Sequence, residues 1–484
     1  MNTMPTNPQA DDSRDSAKSV PLVLDVDGTL LRTDLLYETF WAALGHSFFA
    51  TLRVLLACWT SPPRLKRRLR EIAEPNIDLL PVREPVLDRA REAIAQGCRV
   101  HLASGSDQGL VEAVAQRFDL PGEHFGTERA RNLKGRTKAA FLNEKFGVQG
   151  YDYAGDSWAD QMSWQNARRV IAVSPGPHLS AWLAGLGKPV EIIRDGWTAK
   201  VLLKELRPHQ WVKNLLLLLP LITVHDIQPG TVFQVLLAMV AFSLGASTIY
   251  IVNDLLDLDA DRQHPEKRNR PIASGALPIR TAMAASVLLG MVALGLAFLV
   301  NPTVAALTLT YMTSSLVYSL WLKKLRWLDV FTLAGLFLLR VLTGAAASQI
   351  NVPVWLLAFV FVVFFTLACV KRMTGLARAV KDGRLPGRGY TPKDQVSLEK
   401  ISYFGVVLAA LFFVGHVYSP AAAELVSSPN LLVFAVLPLT LWLWRVVRLS
   451  ELGKEDYDPI VFVSHDKVGL AFVLIGVVIA FLAI

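Results

Sequence analysis

The hydrophobic positions divide the chain into two halves with different patterns. Up to about residue 205, short apolar runs alternate with polar segments, which is typical of an α/β domain outside the membrane. Beyond it, apolar runs of about 17 to 23 residues recur, a length that spans the hydrocarbon core of a bilayer. The pattern predicts an all-α integral membrane bundle of about nine transmembrane helices, near residues 210–225, 231–252, 281–300, 302–320, 328–348, 353–370, 401–419, 430–447 and 468–484.

In the first half, apolar runs end in polar residues, as buried strands of a parallel sheet do where they meet a ligand. Pro21–Leu24 leads into Asp25 and Asp27, two aspartates on the same side of an extended chain. One of them could attack a phosphorus atom while the other transfers a proton. Two later strand ends and one helix start add further polar side chains: Ser104, Lys138, Asp156 and Asp160.

In this order the residues resemble those of the haloacid dehalogenase (HAD) superfamily of phosphotransferases, over about residues 20–195. The resemblance implies an α/β HAD-like, Rossmann-type domain with Asp25 as phosphoryl-accepting nucleophile and Asp27 as general acid and base. It also implies that Ser104 and Lys138 bind phosphate. Asp156 and Asp160 would hold a Mg²⁺ ion beside Asp25. Since every motif position is filled, we expect an active phosphatase rather than a remnant that only binds a partner.

An insertion between Asp34 and Gly97 has a helical pattern and predicts a small cap over this site. Its segment Tyr37–Thr60 is unusually apolar and is followed by basic residues. Two interpretations stay open: a helix that rests on the membrane surface, or a hydrophobic cap core with a solvated face. The basic residues are Arg64, Lys66, Arg67, Arg68 and Arg70.

The net charge is informative because of where the basic residues lie. The 484 residues are 52% hydrophobic and carry a formal net charge of +8. Lys and Arg cluster in the loops between apolar runs, which favours membrane topology and an anionic substrate over nucleic acid. The scattered cysteines imply no disulfide framework. Residues 1–20 are polar and indicate a disordered tail rather than a signal peptide.

The loops between predicted spans alternate in charge. Those at 262–280, 323–326, 371–400 and 445–467 contain Lys and Arg, whereas the intervening loops contain neither. By the positive-inside rule the charged loops and the first half are cytoplasmic, and the C-terminus lies outside. The predicted location is the bacterial inner membrane.

One stretch between two predicted spans carries regularly spaced carboxylates. If the helix continues through it, Asp254, Asp257 and Asp261 lie at i, i+3 and i+7 on one face. Their repulsion favours a divalent cation, and their oxygens suit Mg²⁺ bridging to a phosphate. The alternative is a solvated acidic-then-basic loop. Residues that could hold the rest of a polyanion follow directly: Arg262, Lys267, Arg268 and Arg270.

Polar and ionisable residues near the ends of predicted spans extend this site. Such residues are costly in a membrane, so the default interpretation is functional. For any single one, snorkelling or structural pairing is an equally good explanation. Together they could line one polar chamber on the cytoplasmic side, in which the basic residues and Asn214 would bind phosphate: Lys213, Asn214, Asn253, Tyr318, Lys323, Asp329, Arg340, Lys371 and Arg372.

The acidic motif at 253–261 is similar to the first aspartate motif of the UbiA superfamily of intramembrane prenyltransferases, and the predicted span count agrees. The second acidic cluster of the aromatic prenyltransferases is missing, because the stretch 318–329 offers one acid and lysines instead. With the basic motifs at 207–214 and 264–271, this departure resembles the branch typified by decaprenyl-phosphate phosphoribosyltransferase, over nearly all of residues 203–484. Residues near the C-terminus also fit that branch: Asp458, Pro459 and Asp466.

The two resemblances imply a bifunctional membrane enzyme. The membrane half would transfer 5-phosphoribose from phosphoribosyl pyrophosphate to a polyprenyl phosphate, with Mg²⁺ held by the acidic motif. The HAD half would then remove the 5-phosphate and release a lipid-linked pentose for the cell envelope. The predicted parts are a tail at 1–20, a phosphatase domain at 21–195, a linker at 196–209 and a transferase domain at 210–484.

Other functions stay open at this point. One is a prenyltransferase that uses a prenyl diphosphate and an aromatic or lipid acceptor, with the HAD domain acting on another phosphate ester. A different class is a membrane transporter or lipid-binding scaffold. The sequence leaves the polyprenyl length and any homo-oligomer undetermined.

Overall fold

The computed structural model describes residues 20–128, 131–222, 228–378, 388–420, 426–452 and 466–483. These residues form two compact units. The first runs up to Val201 and also includes Leu255–Arg280, whereas the second consists of Leu202–Asp254 and the chain from Thr281 onwards. The predicted boundaries at residues 195 and 210 did not anticipate that an internal segment joins the first unit.

A six-stranded sheet, parallel throughout, forms the centre of the first unit, in the order β3-β2-β1-β4-β5-β6. Its strands are short and apolar because helices cover both faces of such a sheet. In β1, for example, Val23 pairs with His101 on one side and Tyr153 on the other. The strands are β1 Leu22–Leu24, β2 Val100–Asp107, β3 Phe125–Thr127, β4 Asp152–Gly155, β5 Val170–Val173 and β6 Val190–Ile193.

The helices between these strands follow the polar and apolar periodicity of the sequence. Asp34 starts α1 by accepting hydrogen bonds from the N–H groups of Leu36 and Tyr37. The segment between Asp34 and Gly97 is helical, as predicted. The helices are α1 Leu35–His46, α2 Phe48–Cys58, α3 Pro62–Ile72, α4 Glu84–Ala95, α5 Gln108–Arg117, α6 Arg136–Phe146, α7 Gln161–Asn166, α8 Pro177–Ala184 and α9 Ala199–Glu205.

The segment Leu255–Arg280 is fixed to the first unit by a buried ion pair and by close packing. Arg262 donates two hydrogen bonds to the carboxylate of Glu38 on α1, and neither side chain is exposed. Gly275 has a φ of +72°, and a Cβ there would lie 2.7 Å from Arg32 and 2.8 Å from Pro81. Only glycine accepts this conformation and this approach without strain.

The described residues of the second unit are mainly helical. After a 3-10 helix at Pro208–Leu218, they are α10 Leu219–Ile222, α11 Pro229–Leu256, α13 Ile279–Val300, α14 Pro302–Leu320, α15 Leu328–Ser348, α16 Val354–Arg378, α17 Gln395–Val417, α18 Pro429–Val433, α19 Val436–Glu451 and α20 Lys467–Ala483. The helix α12, Leu258–Gln263, lies in the first unit.

Six helical segments in the described part of the chain are long and apolar enough to cross a membrane. The predicted count of nine is therefore not confirmed. The predicted span at 210–225 is largely 3-10 helix, while α14 and α20 coincide with predicted spans without meeting the same criteria of length and hydropathy.

The acidic motif does not lie on one continuous helix. The helix α11 ends at Leu256, and Asp257 takes φ −102° and ψ 17° before α12 begins at Leu258. Asp254 and Asp261 therefore belong to separate helices, and the predicted shared face over two turns is wrong. The physical reason is that this segment packs into the first unit instead of extending the membrane helix.

Candidate functional site

The carboxyl ends of β1, β2 and β4 open into a cavity of about 610 Å³ in the first unit. Parallel strands present the residues after them at the same edge of the sheet, so side chains far apart in sequence meet there. The cavity brings together most of the predicted phosphatase residues: Asp25, Asp27, Lys138, Asp156 and Asp160. The segment from Gly275 to Arg280 forms another part of its wall.

Lys138 lies between two carboxylates at the bottom of this cavity. Its ammonium group donates to Asp25 at 3.0 Å and to Asp160 at 2.8 Å, and all three side chains are buried. Burial disfavours the lysine charge, but Asp160 and Asp25 outweigh that effect and raise the pKa of Lys138. Burial opposes ionisation of Asp160 too, yet Lys138 and the hydroxyl of Tyr153 hold its pKa below the ordinary value.

Asp25 and Asp156 complete a group of carboxylates that could hold a metal ion. Oxygen atoms of Asp25, Asp156 and Asp160 all lie within 4.8 Å of one another. Burial raises the pKa of Asp25 well above its ordinary value and that of Asp156 to about 7. A divalent cation would reverse both shifts, and hard oxygen ligands suit Mg²⁺. Gly28 permits this arrangement, because a Cβ there would lie 2.3 Å from a carboxylate oxygen of Asp156.

Asp27 is held in place by three hydrogen bonds. The hydroxyls of Ser104 and Ser106 both donate to its Oδ2 at 2.7 Å, and the N–H of Leu35 donates to Oδ1 at 2.8 Å. Ser104 therefore donates to Asp27, the predicted general acid and base, instead of lining the cavity. Sequence reasoning missed Ser106, although its alternation with Ser104 along β2 was a usable signal.

The second unit has a separate cavity of about 180 Å³ with a basic lining. Four helices and the 3-10 helix at Pro208–Leu218 supply the polar groups that line it: Lys213, Asn253, Tyr318, Arg340 and Lys371. The Oδ1 atom of Asn253 is buried without a hydrogen-bond partner. Such an atom is costly unless a ligand satisfies it. The lining therefore fits an anionic ligand that also carries a hydrogen-bond donor for the Asn253 oxygen.

Arg340 is fixed within the helix bundle. It donates to Asn214 Oδ1 at 3.0 Å and to the Tyr311 hydroxyl at 3.1 Å. Its guanidinium also lies about 5 Å from the ring centroids of Phe337 and Tyr311. Asn214 donates in turn to Ser243 at 2.8 Å. Asn214 thus positions Arg340, and its predicted direct contact with phosphate is not supported.

Asp329 is fully buried and bound by two arginines and a tyrosine. Arg372 donates to Oδ2 at 2.5 Å, Arg388 to Oδ1 at 3.2 Å and Tyr318 to Oδ1 at 2.8 Å. Arg372 is therefore an ion-pair partner rather than the predicted phosphate ligand, because one buried carboxylate engages it. Sequence reasoning missed Arg388, which lies well beyond the end of a predicted span.

Two carboxylates of the acidic motif, those of Asp254 and Asp261, have basic partners. Within the second unit, Asp254 accepts from Arg207. Within the first, Asp261 accepts from Arg270 at 2.5 Å and lies 3.8 Å from Lys267. Each carboxylate would exchange this partner in order to ligate a metal.

The remaining residues that the sequence singled out lie in different settings. Arg262 is buried against Glu38, and this ion pair does not support its predicted contact with a polyanion. Arg268 is exposed, and Lys323 is half-buried in a short 3-10 helix. Asp466 accepts from Arg445 at 3.0 Å, while Asp458 and Pro459 lie outside the described residues.

Known proteins resemble this chain over both halves. The profile of the UbiA prenyltransferase family matches residues 217–468. Uncharacterized protein y4nM of Sinorhizobium fredii is 32% identical over 458 residues, which cover 93% of this chain and 88% of that protein. Nodulation protein NoeC of Azorhizobium caulinodans is 33% identical over 291 residues, or 57% of this chain and 92% of NoeC.

The decaprenyl-phosphate phosphoribosyltransferase of Mycobacterium tuberculosis is also similar. It is 35% identical over 185 residues, which cover 37% of this chain and 61% of that enzyme. The chain thus spans less than two thirds of that relative.

Proposed function

Because this chain belongs to the UbiA prenyltransferase family, we propose that its membrane unit transfers 5-phosphoribose from phosphoribosyl pyrophosphate to a polyprenyl phosphate. The chain is an integral membrane protein with transferase chemistry. The similarity to decaprenyl-phosphate phosphoribosyltransferases supports the choice of donor and acceptor. The observation that carries the proposal is the cavity lined by Lys213, Arg340 and Lys371, because a basic cavity suits a donor with several phosphate charges.

In the proposed transfer, an oxygen of the acceptor phosphate attacks C1 of the ribose while the bond to pyrophosphate breaks. The acceptor oxygen is already anionic, so no general base is needed. Lys213, Lys371 and Arg340 stabilise the negative charge that develops on the leaving group. Mg²⁺, when bound by the acidic motif or by the carboxylates around Asp25, supplies further positive charge to phosphate oxygens.

We assign the first unit to the next step, removal of the 5-phosphate from the lipid-linked product. Asp25 attacks the phosphorus, the bond to the ribose 5-oxygen breaks and Asp27 protonates that oxygen. Water then attacks the aspartyl phosphate, Asp27 takes a proton from it, and phosphate leaves. Lys138 keeps Asp25 oriented throughout. The approach of Lys138, Asp156 and Asp160 to Asp25 supports a HAD-like phosphatase site.

The segment Leu255–Arg280 supports coupling of the two steps. It carries Asp257 and Asp261 of the acidic motif, and it also contributes to the wall of the phosphatase cavity. Hydrolysis would draw a reversible transfer forward, and tethering raises the effective concentration of the second site. The distribution of Lys and Arg supports a cytoplasmic location for both reactions.

The experiment that tests this proposal follows labelled phosphoribosyl pyrophosphate in the presence of polyprenyl phosphate and Mg²⁺. Asp25→Asn should accumulate the lipid that still carries a 5-phosphate, whereas Asp254→Asn should form neither lipid. The exposed Asp88→Asn serves as a control that should match the wild type. An unchanged product pattern in Asp25→Asn would refute the phosphatase step.

The family name favours a second candidate, transfer of a prenyl group from a prenyl diphosphate to an aromatic or lipid acceptor. The two candidates differ in the donor that the membrane unit binds. Thermal protection by prenyl diphosphate with Mg²⁺, and none by phosphoribosyl pyrophosphate, would select this alternative.

A further inference from the structure

Two lysines that the proposed chemistry does not use lie on either side of one glycine in the phosphatase cavity. Lys66 of α3 donates to the carbonyl oxygen of Gly105 and, at 3.2 Å, to Oδ1 of Asn132. The side chain of Lys134 lies against the other side of Gly105, about 3.5 Å from where a Cβ would be. Both lysines line the cavity.

Gly105 lies between the two serines that hold Asp27. Lys66 and Lys134 therefore flank the backbone next to the reacting groups without taking part in the contacts of Asp25. One of them reaches the cavity from the cap and the other from the loop before α6. A substrate held at Asp25 would bring its more distant part towards this pair.

Three other cationic side chains of the wall, Arg32, Arg83 and Lys138, have carboxylate partners. Arg32 and Arg83 both bind Oδ2 of Asp195, at 2.9 and 2.7 Å. The two hydrogen bonds of Lys66 go to neutral oxygens instead. Burial lowers the pKa of Lys66, and Lys134 adds to the shift, whereas the nearest carboxylates, Asp27 and Asp34 among them, oppose it.

We propose that Lys66 and Lys134 form a second anion subsite, which selects phosphate monoesters that carry another phosphate group. This inference rests on the proposed phosphatase step and names its substrate class. The catalytic carboxylates would receive the terminal monoester, and the lysine pair would bind the second phosphate, including the phosphodiester of a lipid-linked sugar. Lysine binds such a group as a point charge, and two lysines suffice to favour a doubly phosphorylated ligand.

The test measures binding rather than turnover. The full chain carrying Asp25→Asn, in nanodiscs with Mg²⁺, is titrated calorimetrically with ribose 5-phosphate, ribose 1,5-bisphosphate and an alkyl phosphodiester of ribose 5-phosphate. Hydrogen–deuterium exchange of α3 and residues 131–135 assigns the binding to this cavity. We expect both doubly charged ligands to bind about tenfold more tightly than ribose 5-phosphate. A preference for the bisphosphate alone would indicate a free sugar phosphate as the ligand within the same subsite.

Variants identify the residues responsible. Lys66→Gln combined with Lys134→Gln should abolish the preference while changing the affinity for ribose 5-phosphate less than about twofold. Lys66→Arg should retain it because the charge remains. Arg64→Gln removes a charge from the exposed side of the same helix and should have no effect. Thermal unfolding of each variant identifies a loss of folding.

Two results would overturn the subsite: equal affinity for the three ligands, or a preference that survives in the double variant. Phosphate release by the chain with Asp25 intact is measured separately. Its absence would refute the phosphatase step, while the binding preference would still decide the role of the lysines.

Discussion

Several buried charged side chains of the described residues have oppositely charged partners, and Lys138 is the clearest case. Its ammonium group compensates both Asp25 and Asp160, and all three side chains are buried. Removing one member of such a group leaves charges buried without compensation, which costs far more than the loss of an exposed ion pair. The same reasoning explains Asp329, which is bound by Arg372 and Arg388.

We predict that Lys138→Met destabilises the protein by about 3 to 5 kcal/mol near neutral pH. The reason is that two carboxylates would face each other without the ammonium group. Lys145→Met is the matched control, because Lys145 forms an exposed ion pair with Glu123 at 2.6 Å; it should cost about 1 kcal/mol or less. Thermal unfolding of both variants in detergent measures the difference, and similar losses would contradict the prediction.

His124 links protonation to the packing of the sheet. Its Nε2–H donates to the carbonyl oxygen of Leu120 at 3.2 Å, while Nδ1 accepts from the N–H of Leu102 at 3.2 Å. Burial lowers the pKa of His124 because the neutral ring is favoured. Protonation of Nδ1 would remove the acceptor of the Leu102 N–H.

A histidine with a lowered folded-state pKa costs no stability above its unfolded pKa of about 6.5 and destabilises the fold as the pH falls below that value. We therefore predict that His124 lowers the free energy of unfolding of the first unit as the pH falls below about 6.5, while the raised pKa values of Asp25 and Asp156 act in the opposite direction. His124→Asn, whose amide can serve both contacts, should reduce this dependence. Protection factors of the β2 amides, which correct for the intrinsic pH dependence of exchange, are compared at pH 7.5 and 5.5 in the wild type and in His124→Asn. An equal change in both proteins would contradict the prediction.

At the scale of elements, α2 shows an unusual exposure of large apolar side chains. Phe49 is 70% and Leu56 74% exposed, Trp59 directly after the helix is 76% exposed, and Thr51 is the buried residue of this helix. The apolar residues therefore do not form the core of the cap. The following helix α3 is rich in arginine, so an apolar helix and a basic helix lie next to each other, as in segments that bind an anionic membrane surface.

We predict that α2 inserts its exposed face into the interface of the bilayer. A nitroxide on Leu56→Cys, with the three native cysteines replaced by serine, should collide more with oxygen than with a water-soluble nickel complex in nanodiscs with anionic lipid. Val148→Cys is the control, because Val148 is 66% exposed on a loop and should show the opposite preference. Equal accessibility at the two positions would refute the prediction, and dipolar broadening between labels would indicate a second copy instead.

At the scale of the whole molecule, the segment between α11 and α13 carries part of the acidic motif and belongs to the first unit. The pair Glu38–Arg262 attaches it to α1, and its last residues line the phosphatase cavity. Because the pair is buried, breaking it leaves an uncompensated charge. The attachment is therefore strong enough to set where Asp257 and Asp261 lie within the first unit.

We predict that Glu38→Gln releases this segment, so that the amides of α12 exchange at least about tenfold faster. The double variant Glu38→Arg with Arg262→Glu should restore part of the protection. Glu71→Gln is the control, since Glu71 pairs with Arg67 and Arg68 on the surface of α3. Exchange measured by mass spectrometry in nanodiscs checks this, and unchanged protection of α12 would contradict it.

The sequence determined the elements whose cause is local. The strand before Asp25, the helix after Asp34 and the long apolar helices follow from periodicity, capping and length. Asp25 and Asp156 were also predictable as neighbours, because the edge of a parallel sheet gathers the residues that follow its strands. The place of Lys138 beside them was implied by the resemblance to the HAD superfamily.

Only the tertiary structure decided which charges are compensated. It paired Arg262 with Glu38, which lies 224 positions away along the chain, and Asp329 with Arg388. It also ended the membrane helix before Asp257, although the pattern of carboxylates favoured continuation. The physical reason is that pairing and burial depend on residues distant in sequence, whereas periodicity and caps act over a few turns.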